Sequence, residues 1–296
     1  MFSGLIFGIY TMTEEMNLNF FGMVKGQATT AVVAEPVLHP RLRVAMIQMD
    51  VIDGDLEENM GRAERYIRES AFGGADLACL PEAPDFGWLC QKARESAFPI
   101  PGPYTDFLSG LARKLCLWIA AGCLEKADDK TYNAAILIDR SGDIRLKHRK
   151  ITTLPELTAH LYDAGDAGDI KVVDTEFGRV GLTICADNFD IENPKRAACL
   201  GAWLLIAPHG FAEKKSDLLN NGITFINHIK NVAQKTKLWV IGTNTVLSEV
   251  AGGQWKGYLH SGFSTIADPN GKVRALGGHT EPELIFLDIP LAFNES

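Results

Sequence analysis

The chain has 296 residues, of which 46% are hydrophobic and 22% charged, so it can bury a substantial core and is neither fibrous nor disordered. Its 37 acidic and 29 basic side chains give a net charge of −8, which argues against the basic surface that nucleic-acid binding requires. No run approaches the ~20 consecutive apolar residues of a membrane-spanning helix. We therefore expect a soluble protein that binds neither nucleic acid nor membrane.

The first forty residues lack the pattern of a regular fold element. Four methionines in this stretch could each begin the chain, and Pro36 and Pro40 interrupt any regular element that would lead into the next segment. The apolar start has no basic region before it and no small-residue cleavage site after it, so it does not have the features of a secretory signal. We treat residues 1–40 as an N-terminal extension of unknown role and expect one domain over residues 41–296.

Apolar patterns typical of a strand and then of a helix begin at Leu42. The nearly continuous apolar run over 42–49 predicts the first core strand. Apolar residues then recur at three- and four-residue steps over 56–71, which predicts an amphipathic helix capped by Asp53 or Asp55. The pair Gly73-Gly74 predicts the end of this helix.

The alternation continues without a linker as far as residue 290. Helices are predicted over 104–115, from 193 onward and over 222–236, and a closing hairpin over 261–275. Because no composition break divides the chain, we expect one layered α/β domain. The further predicted strands cover 75–80, 118–124, 133–138, 172–173, 180–185, 203–207 and 238–242.

Three polar residues lie where predicted strands end, and together they provide the groups that a covalent amide hydrolase needs. They are the carboxylate of Glu82, the ammonium of Lys150 and the thiol of Cys185. Each has an ordinary interpretation alone: a helix cap or surface carboxylate, a solvated basic face, and a buried inert cysteine. Only their combination indicates catalysis.

The sequence around each of these residues resembles the nitrilase superfamily of carbon-nitrogen hydrolases, in its amidase-like branch. In that family Glu, Lys and Cys occur in this chain order. The matching motifs are Leu80-Pro81-Glu82, then His148-Arg149-Lys150-Ile151 followed by Leu154-Pro155-Glu156, and the stretch 178–187 that contains Cys185. The second and third motifs are the more specific ones. The resemblance covers roughly residues 42–290 and identifies 41–296 as a carbon-nitrogen hydrolase domain.

The resemblance implies a fold, an assembly and a chemistry. The fold is a four-layer α-β-β-α sandwich with mixed sheets, usually paired through a helical face into a homodimer or a larger homo-oligomer. No metal or organic cofactor is implied, and the sequence contains neither a CxxC pair nor an HExxH motif. Six cysteines are too few for a disulfide scaffold, so we expect a cytoplasmic protein.

The implied reaction is hydrolysis of a small-molecule amide through a Cys185 thioester. Glu82 acts as general base toward the thiol and then returns the proton to the leaving amine. Lys150 stabilises the tetrahedral oxyanion. Glu156 matches a second glutamate that helps to position the lysine or the substrate, although an ordinary loop carboxylate is the alternative.

Departures from the family pattern bear on the substrate. Phe189 occupies a position where many amidase members have an arginine that grips a substrate carboxylate, which argues against N-carbamoyl amino acids and dicarboxylate amides. Ala186-Asp187 follows the cysteine where nitrilases have Trp-Glu, which favours amides over nitriles. His209 could line the pocket or be a satisfied core residue. Nitrile hydrolysis, acyl transfer to another acceptor and a catalytically inert binding scaffold remain the alternatives.

Overall fold

The computed structural model describes residues 40–291, so the predicted extension 1–40 lies almost wholly outside the described residues. Its helices are α1 (Leu56–Phe72), α2 (Ala93–Ser96), α3 (Pro103–Leu115), α4 (Pro155–Thr158), α5 (Glu192–Cys199) and α6 (Leu218–Thr236). Its strands are β1 (Arg41–Gln48), β2 (Leu77–Cys79), β3 (Trp118–Ala127), β4 (Lys130–Ile138), β5 (Ile144–Arg149), β6 (Val172–Thr175), β7 (Gly178–Leu182), β8 (Leu204–His209), β9 (Ala212–Glu213), β10 (Trp239–Asn244), β11 (Val246–Glu249), β12 (Leu259–Ser261), β13 (Thr265–Ala267), β14 (Val273–Leu276) and β15 (Glu283–Pro290).

The first helix shows how local sequence sets these bounds. The Asp55 side chain accepts a hydrogen bond from the Glu58 backbone N–H at 3.2 Å, which satisfies one of the free donors at the start of α1. Ala63 and Ile67 recur one turn apart on the buried face. Gly73 caps the C-terminal end, as the sequence predicted.

Two mixed sheets form the centre of the molecule. The first has the strand order β15-β1-β2-β3-β4-β5, with parallel pairing of β1 to β2 and of β2 to β3. The second has the order β14-β13-β10-β8-β7-β6, with parallel pairing of β7 to β8 and of β8 to β10. The remaining pairs in both sheets are antiparallel.

Alternate side chains of each strand fill two different layers of the core. In β1, Ala45 and Ile47 pack with α1 and α3, whereas Val44 and Met46 face the second sheet. The far face of the second sheet packs against α5 and α6 through residues such as Phe225. These contacts confirm the predicted α-β-β-α sandwich.

The fold differs from the sequence prediction in several places, and one of them is β5, which was not among the predicted strands. The closing hairpin begins at Thr265 rather than at residue 261, and the chain continues into β15, which pairs antiparallel with β1 along its full length. A small sheet of β9, β11 and β12 was also not predicted. Hydrophobic periodicity gave no clear signal there, because most side chains of β15 are only half-buried and the strands of the small sheet are two to four residues long. Within the described residues, no helix is both long and apolar enough to cross a lipid bilayer.

We predict that the last strand contributes substantially to stability. Ile289 is fully buried between the two sheets, so Ile289→Ala should lower the free energy of unfolding by about 2–4 kcal/mol through lost burial and a residual cavity. Ile52→Ala is the matched control, because Ile52 is 42% exposed, and it should change stability by less than ~0.5 kcal/mol. Urea denaturation measures both, and equal effects would show that β15 packs loosely.

Candidate active site

The structure brings together three of the four predicted site residues. Glu82 follows β2, Lys150 follows β5, and Cys185 begins a short 3-10 turn after β7. Because β2 and β5 run in the same direction, their C-terminal ends lie at one edge of the first sheet. All three side chains are at least nine-tenths buried.

A buried ion pair joins the glutamate and the lysine. Lys150 Nζ donates to Glu82 Oε1 at 2.6 Å. Asn133 Nδ2 donates to the same oxygen at 2.7 Å. Asn133 begins the strand predicted over 133–138, but the sequence does not identify it as a site residue, because a position within a strand does not show which face of the sheet it occupies. The second oxygen, Glu82 Oε2, is buried and has no hydrogen-bond partner among the described residues.

The thiol of Cys185 lies against the Glu82 carboxylate. Burial raises the pKa of this thiol, and the negative charge of Glu82 raises it further. The charge of Lys150 and the backbone N–H of Gly210 act in the opposite direction without reversing the shift. The resting thiol is therefore protonated, and it would need a base to act as a nucleophile.

Lys150 keeps its positive charge in this buried site. Burial is the largest single effect and disfavours the ammonium, but the interactions with Glu82, Cys185 and Asp187 together outweigh it, and the net effect is a pKa above the usual value for lysine. The ammonium also lies 5.1 Å from the centre of the Trp88 ring, where a cation is favoured. The lysine is thus a fixed cation at neutral pH.

The backbone at the nucleophile is held in a turn by one aspartate. Cys185 has φ of 43°, in the left-handed region that few side chains adopt without support. Asp187 Oδ1 accepts the backbone N–H groups of Ile151 and Thr152, both at 2.8 Å, and its Oδ2 lies 2.8 Å from His148 Nε2. Asp187 therefore ties the cysteine turn to the segment that carries the lysine.

A small cavity opens onto the cysteine. It has a volume of about 120 Å³, and its base includes Lys150, Cys185 and Gly210. Four aromatic side chains form most of its wall: Trp88, Phe189, Phe211 and Trp255. The cavity can accept a small, largely apolar molecule beside the thiol.

The fourth predicted site residue, Glu156, and the candidate pocket residue His209 lie elsewhere. Glu156 is an exposed residue of α4, and within the described residues it neither lines the cavity nor bonds to Lys150, so its positioning role stays a prediction. His209 does not line the cavity either. Its ring donates to the Ala207 carbonyl, burial lowers its pKa to about 3, and its own carbonyl accepts the backbone N–H of Glu82. His209 is thus a buried core residue, although its Nε2 has no hydrogen-bond partner among the described residues.

The described residues contain no group of three His, Cys, Asp or Glu side chains arranged to hold a metal ion. The chemistry that the site can supply comes from a general base, a fixed cation and a thiol. These groups on an α-β-β-α sandwich are compatible with covalent attack on a carbonyl or nitrile carbon, the chemistry of one class of hydrolases.

Comparison with known proteins identifies the family within this class. The family model described as carbon-nitrogen hydrolase matches residues 43–295, and the chain belongs to this family. A protein named nitrilase from Pyrococcus abyssi is 30% identical over 255 residues, covering 84% of this chain and 90% of its own. Omega-amidase NIT2 from Bos taurus is 29% identical over 268 residues, covering 84% and 88%.

A solved structure shares the fold. It is a variant of the amidase from Nesterenkonia sp. AN1, with the acetamide moiety of fluoroacetamide added covalently at the active-site cysteine. The match covers 86% of this chain and 93% of the amidase, with a TM-score of 0.71 and 19% sequence identity. At that identity the likeness concerns the fold alone, and it agrees with the sandwich described above.

We predict that Gly122 is required for the position of Glu82. A Cβ at this residue of β3 would lie 2.8 Å from both Glu82 Cα and the Pro81 carbonyl oxygen, so Gly122→Ala must displace the glutamate. We expect kcat/KM to fall roughly 10- to 100-fold, since small displacements of a catalytic group are costly. The free energy of unfolding should fall by about 1–3 kcal/mol.

Gly110→Ala in α3 is the control for this variant. Nothing lies within 4 Å of a Cβ at Gly110, so the alanine should stabilise the helix by about 1 kcal/mol and leave activity unchanged. Steady-state kinetics and urea denaturation measure both variants. Normal activity in Gly122→Ala would contradict the proposed constraint.

Proposed function

We propose that the protein hydrolyses a small-molecule amide through a thioester on Cys185, with Glu82 as general base and Lys150 as the oxyanion-stabilising cation. The observation that carries the proposal is that the two oxygens of the Glu82 carboxylate have different surroundings. Oε1 accepts hydrogen bonds from Lys150 and Asn133, whereas Oε2 is buried with no hydrogen-bond partner among residues 40–291, and the thiol lies beside the carboxylate. A free oxygen next to a protonated thiol is placed to take its proton.

The first half of the reaction forms the thioester. Glu82 takes the thiol proton as sulfur attacks the carbonyl carbon, and the C=O electron pair moves to oxygen. The Lys150 ammonium stabilises this oxyanion, an effect worth on the order of 3 kcal/mol for one well-placed donor. As the carbonyl reforms, Glu82 gives its proton to nitrogen, the C–N bond breaks, and ammonia or an amine leaves.

The second half returns the enzyme to its starting state. Glu82 takes a proton from water as its oxygen attacks the thioester carbon, and Lys150 again faces the oxyanion. The C–S bond then breaks, Cys185 recovers a proton from Glu82, and the carboxylic acid is released. The names of the amidase relatives support amide hydrolysis as the overall reaction.

Nitrile hydrolysis is the second candidate, and a specific observation favours it. The relative at 30% identity from Pyrococcus abyssi is named nitrilase. The same thiol would attack a nitrile carbon. Measured turnover of amides and nitriles therefore distinguishes the two candidates better than the residues around Cys185 do. Amides remain the first choice because Ala186-Asp187 replaces the Trp-Glu typical of nitrilases.

The test is ammonia release from a panel of aliphatic amides, ω-amides, ureido acids and nitriles. We expect amide turnover by wild type, no turnover by Cys185→Ala, and a loss of about 10²–10⁴-fold in kcat for Glu82→Gln. Cys199→Ala is the control, since Cys199 is an exposed thiol on α5, and it should retain full activity. Mass spectrometry of acid-quenched wild type should find the acyl group on Cys185.

Two outcomes would overturn the proposal. Turnover of nitriles but not amides would make the second candidate correct. No turnover of any substrate, together with a Cys185 that resists alkylation in folded protein, would indicate an inert binding scaffold. Circular dichroism and thermal melts on each variant separate lost chemistry from lost folding, which matters because removing one partner of a buried ion pair often destabilises a protein by about 3–5 kcal/mol.

We also propose that the chain forms a homodimer or larger homo-oligomer through a helical face. Leu219 and Ile223 lie one turn apart on α6, and each is more than half exposed. Ile223→Glu should shift the protein toward monomer in light scattering, whereas Phe72→Glu, at a 97% exposed residue of α1, should not. A wild-type monomer at all concentrations would disprove the proposal.

A cytoplasmic location is a further part of the proposal. All six cysteines of the chain lie within the described residues and are free thiols. A thiol nucleophile remains active in a reducing compartment, where free cysteines persist. Fractionation of cells that express the native protein tests this location.

A further inference from the structure

The cavity beside Cys185 holds two hydrogen-bond acceptors that the proposed reaction does not use. Glu213, on β9, and Asn221, on the first turn of α6, both line it. The Glu213 Oε1 atom accepts the backbone N–H of Lys214 at 2.8 Å, and Oε2 makes no hydrogen bond among the described residues. The Asn221 Oδ1 atom is buried and has no partner there either. Acceptors left open in a binding cavity call for a donor on the ligand.

The cavity has no free positive charge to balance these acceptors. Lys150 is the one cation among its lining residues within the described range, and the Glu82 carboxylate already neutralises it. Lys214 and Lys256 are neighbours of lining residues in the sequence, but neither lines the cavity. A substrate carboxylate would therefore enter near Glu82 and Glu213 with no free cation to pair with, which is unfavourable.

The histidine that packs against the aromatic wall, His228, supplies no positive charge either. The Phe189 side chain packs against Phe211 and against the His228 ring, at centroid distances of 6.2 and 5.0 Å. Burial lowers the pKa of His228 to about 4, so this ring is neutral at pH 7. The wall thus offers apolar contact to a hydrocarbon chain and no ion pair to an acid.

We propose that the substrate is a short-chain primary amide whose far end carries a hydrogen-bond-donating, positively charged group such as an amine, which Glu213 and Asn221 hold. The inference rests on the proposed function and specifies its substrate class. The reacting carbonyl lies at Cys185, the methylenes lie against the aromatic wall, and the amine satisfies the two open acceptors. A carboxylate at the same end is rejected.

Three primary amides of equal length test this selectivity: pentanamide, 5-aminopentanamide and 5-amino-5-oxopentanoate, the last with a carboxylate end. Ammonia release gives kcat/KM for each. We expect 5-aminopentanamide to exceed pentanamide about tenfold, corresponding to one hydrogen bond to a charged group, and the carboxylate compound to be the poorest. The same order over the four- and six-carbon series would show that the preference does not depend on chain length.

Amino-acid substitutions test whether Glu213 and Asn221 cause the preference for the amine-bearing amide. Glu213→Gln should lower the ratio of kcat/KM for 5-aminopentanamide to that for pentanamide about tenfold, and Asn221→Leu should lower it in the same direction. Glu69→Gln removes the same charge from an exposed site on α1 and should leave the ratio unchanged. Phe189→Arg adds the missing cation at the cavity wall and should raise turnover of the carboxylate compound.

The outcomes separate this inference from the proposed function. If Cys185-dependent turnover occurs but the carboxylate compound is the best substrate, or if Glu213→Gln affects all three amides equally, the substrate class is wrong and the hydrolase is not. If none of the amides is turned over, protection of Cys185 from iodoacetamide by pentylamine but not by pentanoate still supports the binding preference. Equal protection by both would overturn it.

Discussion

The site depends on an ammonium and a carboxylate held together away from water. Burying either charge alone would cost several kcal/mol, and the pair is tolerated because Lys150 and Glu82 meet at 2.6 Å and Asn133 adds a second donor. The surrounding structure serves this geometry. Glu82 is fixed through the His209 carbonyl, and the lysine segment is fixed through Asp187. The fold must therefore hold both side chains of the ion pair in contact and away from water.

The sandwich holds the ion pair and the thiol together because strand ends from its two sheets meet at one place. The parallel orientation of β2 and β5 brings the glutamate and the lysine to one edge of the first sheet, and packing of the second sheet supplies the cysteine turn after β7. Gly122 lets β3 approach the Glu82 backbone, and Gly210 leaves room for Trp88 beside the thiol. Rigid strands carry the reacting groups, while the cavity wall comes largely from loops, which is where specificity is free to vary.

Much of this arrangement was predictable from the sequence, for physical reasons. Long amphipathic and apolar runs predicted α1, α3, α6 and the central strands, and their bounds agree within a few residues. The strand predicted over 180–185 extends past its observed end at Leu182, because Ile184 and Cys185 are apolar although they leave the sheet for a turn in which Cys185 has positive φ. The role of Glu213 and Asn221 as acceptors in the cavity could not be predicted from the sequence, since only tertiary packing brings β9 and α6 to the cavity.

Charge balance explains why one lysine suffices for the proposed reaction. At rest the site holds a carboxylate, an ammonium and a neutral thiol, so its formal charge is zero. After attack, Glu82 carries the proton and the negative charge has moved to the substrate oxygen, which leaves the total unchanged. Lys150 then exchanges one anionic partner for another, and its field is already aligned at a buried position where such interactions are strong. A neutral substrate preserves this balance and a cationic end group would be balanced by Glu213, whereas an additional carboxylate would compete with the oxyanion for the same ammonium.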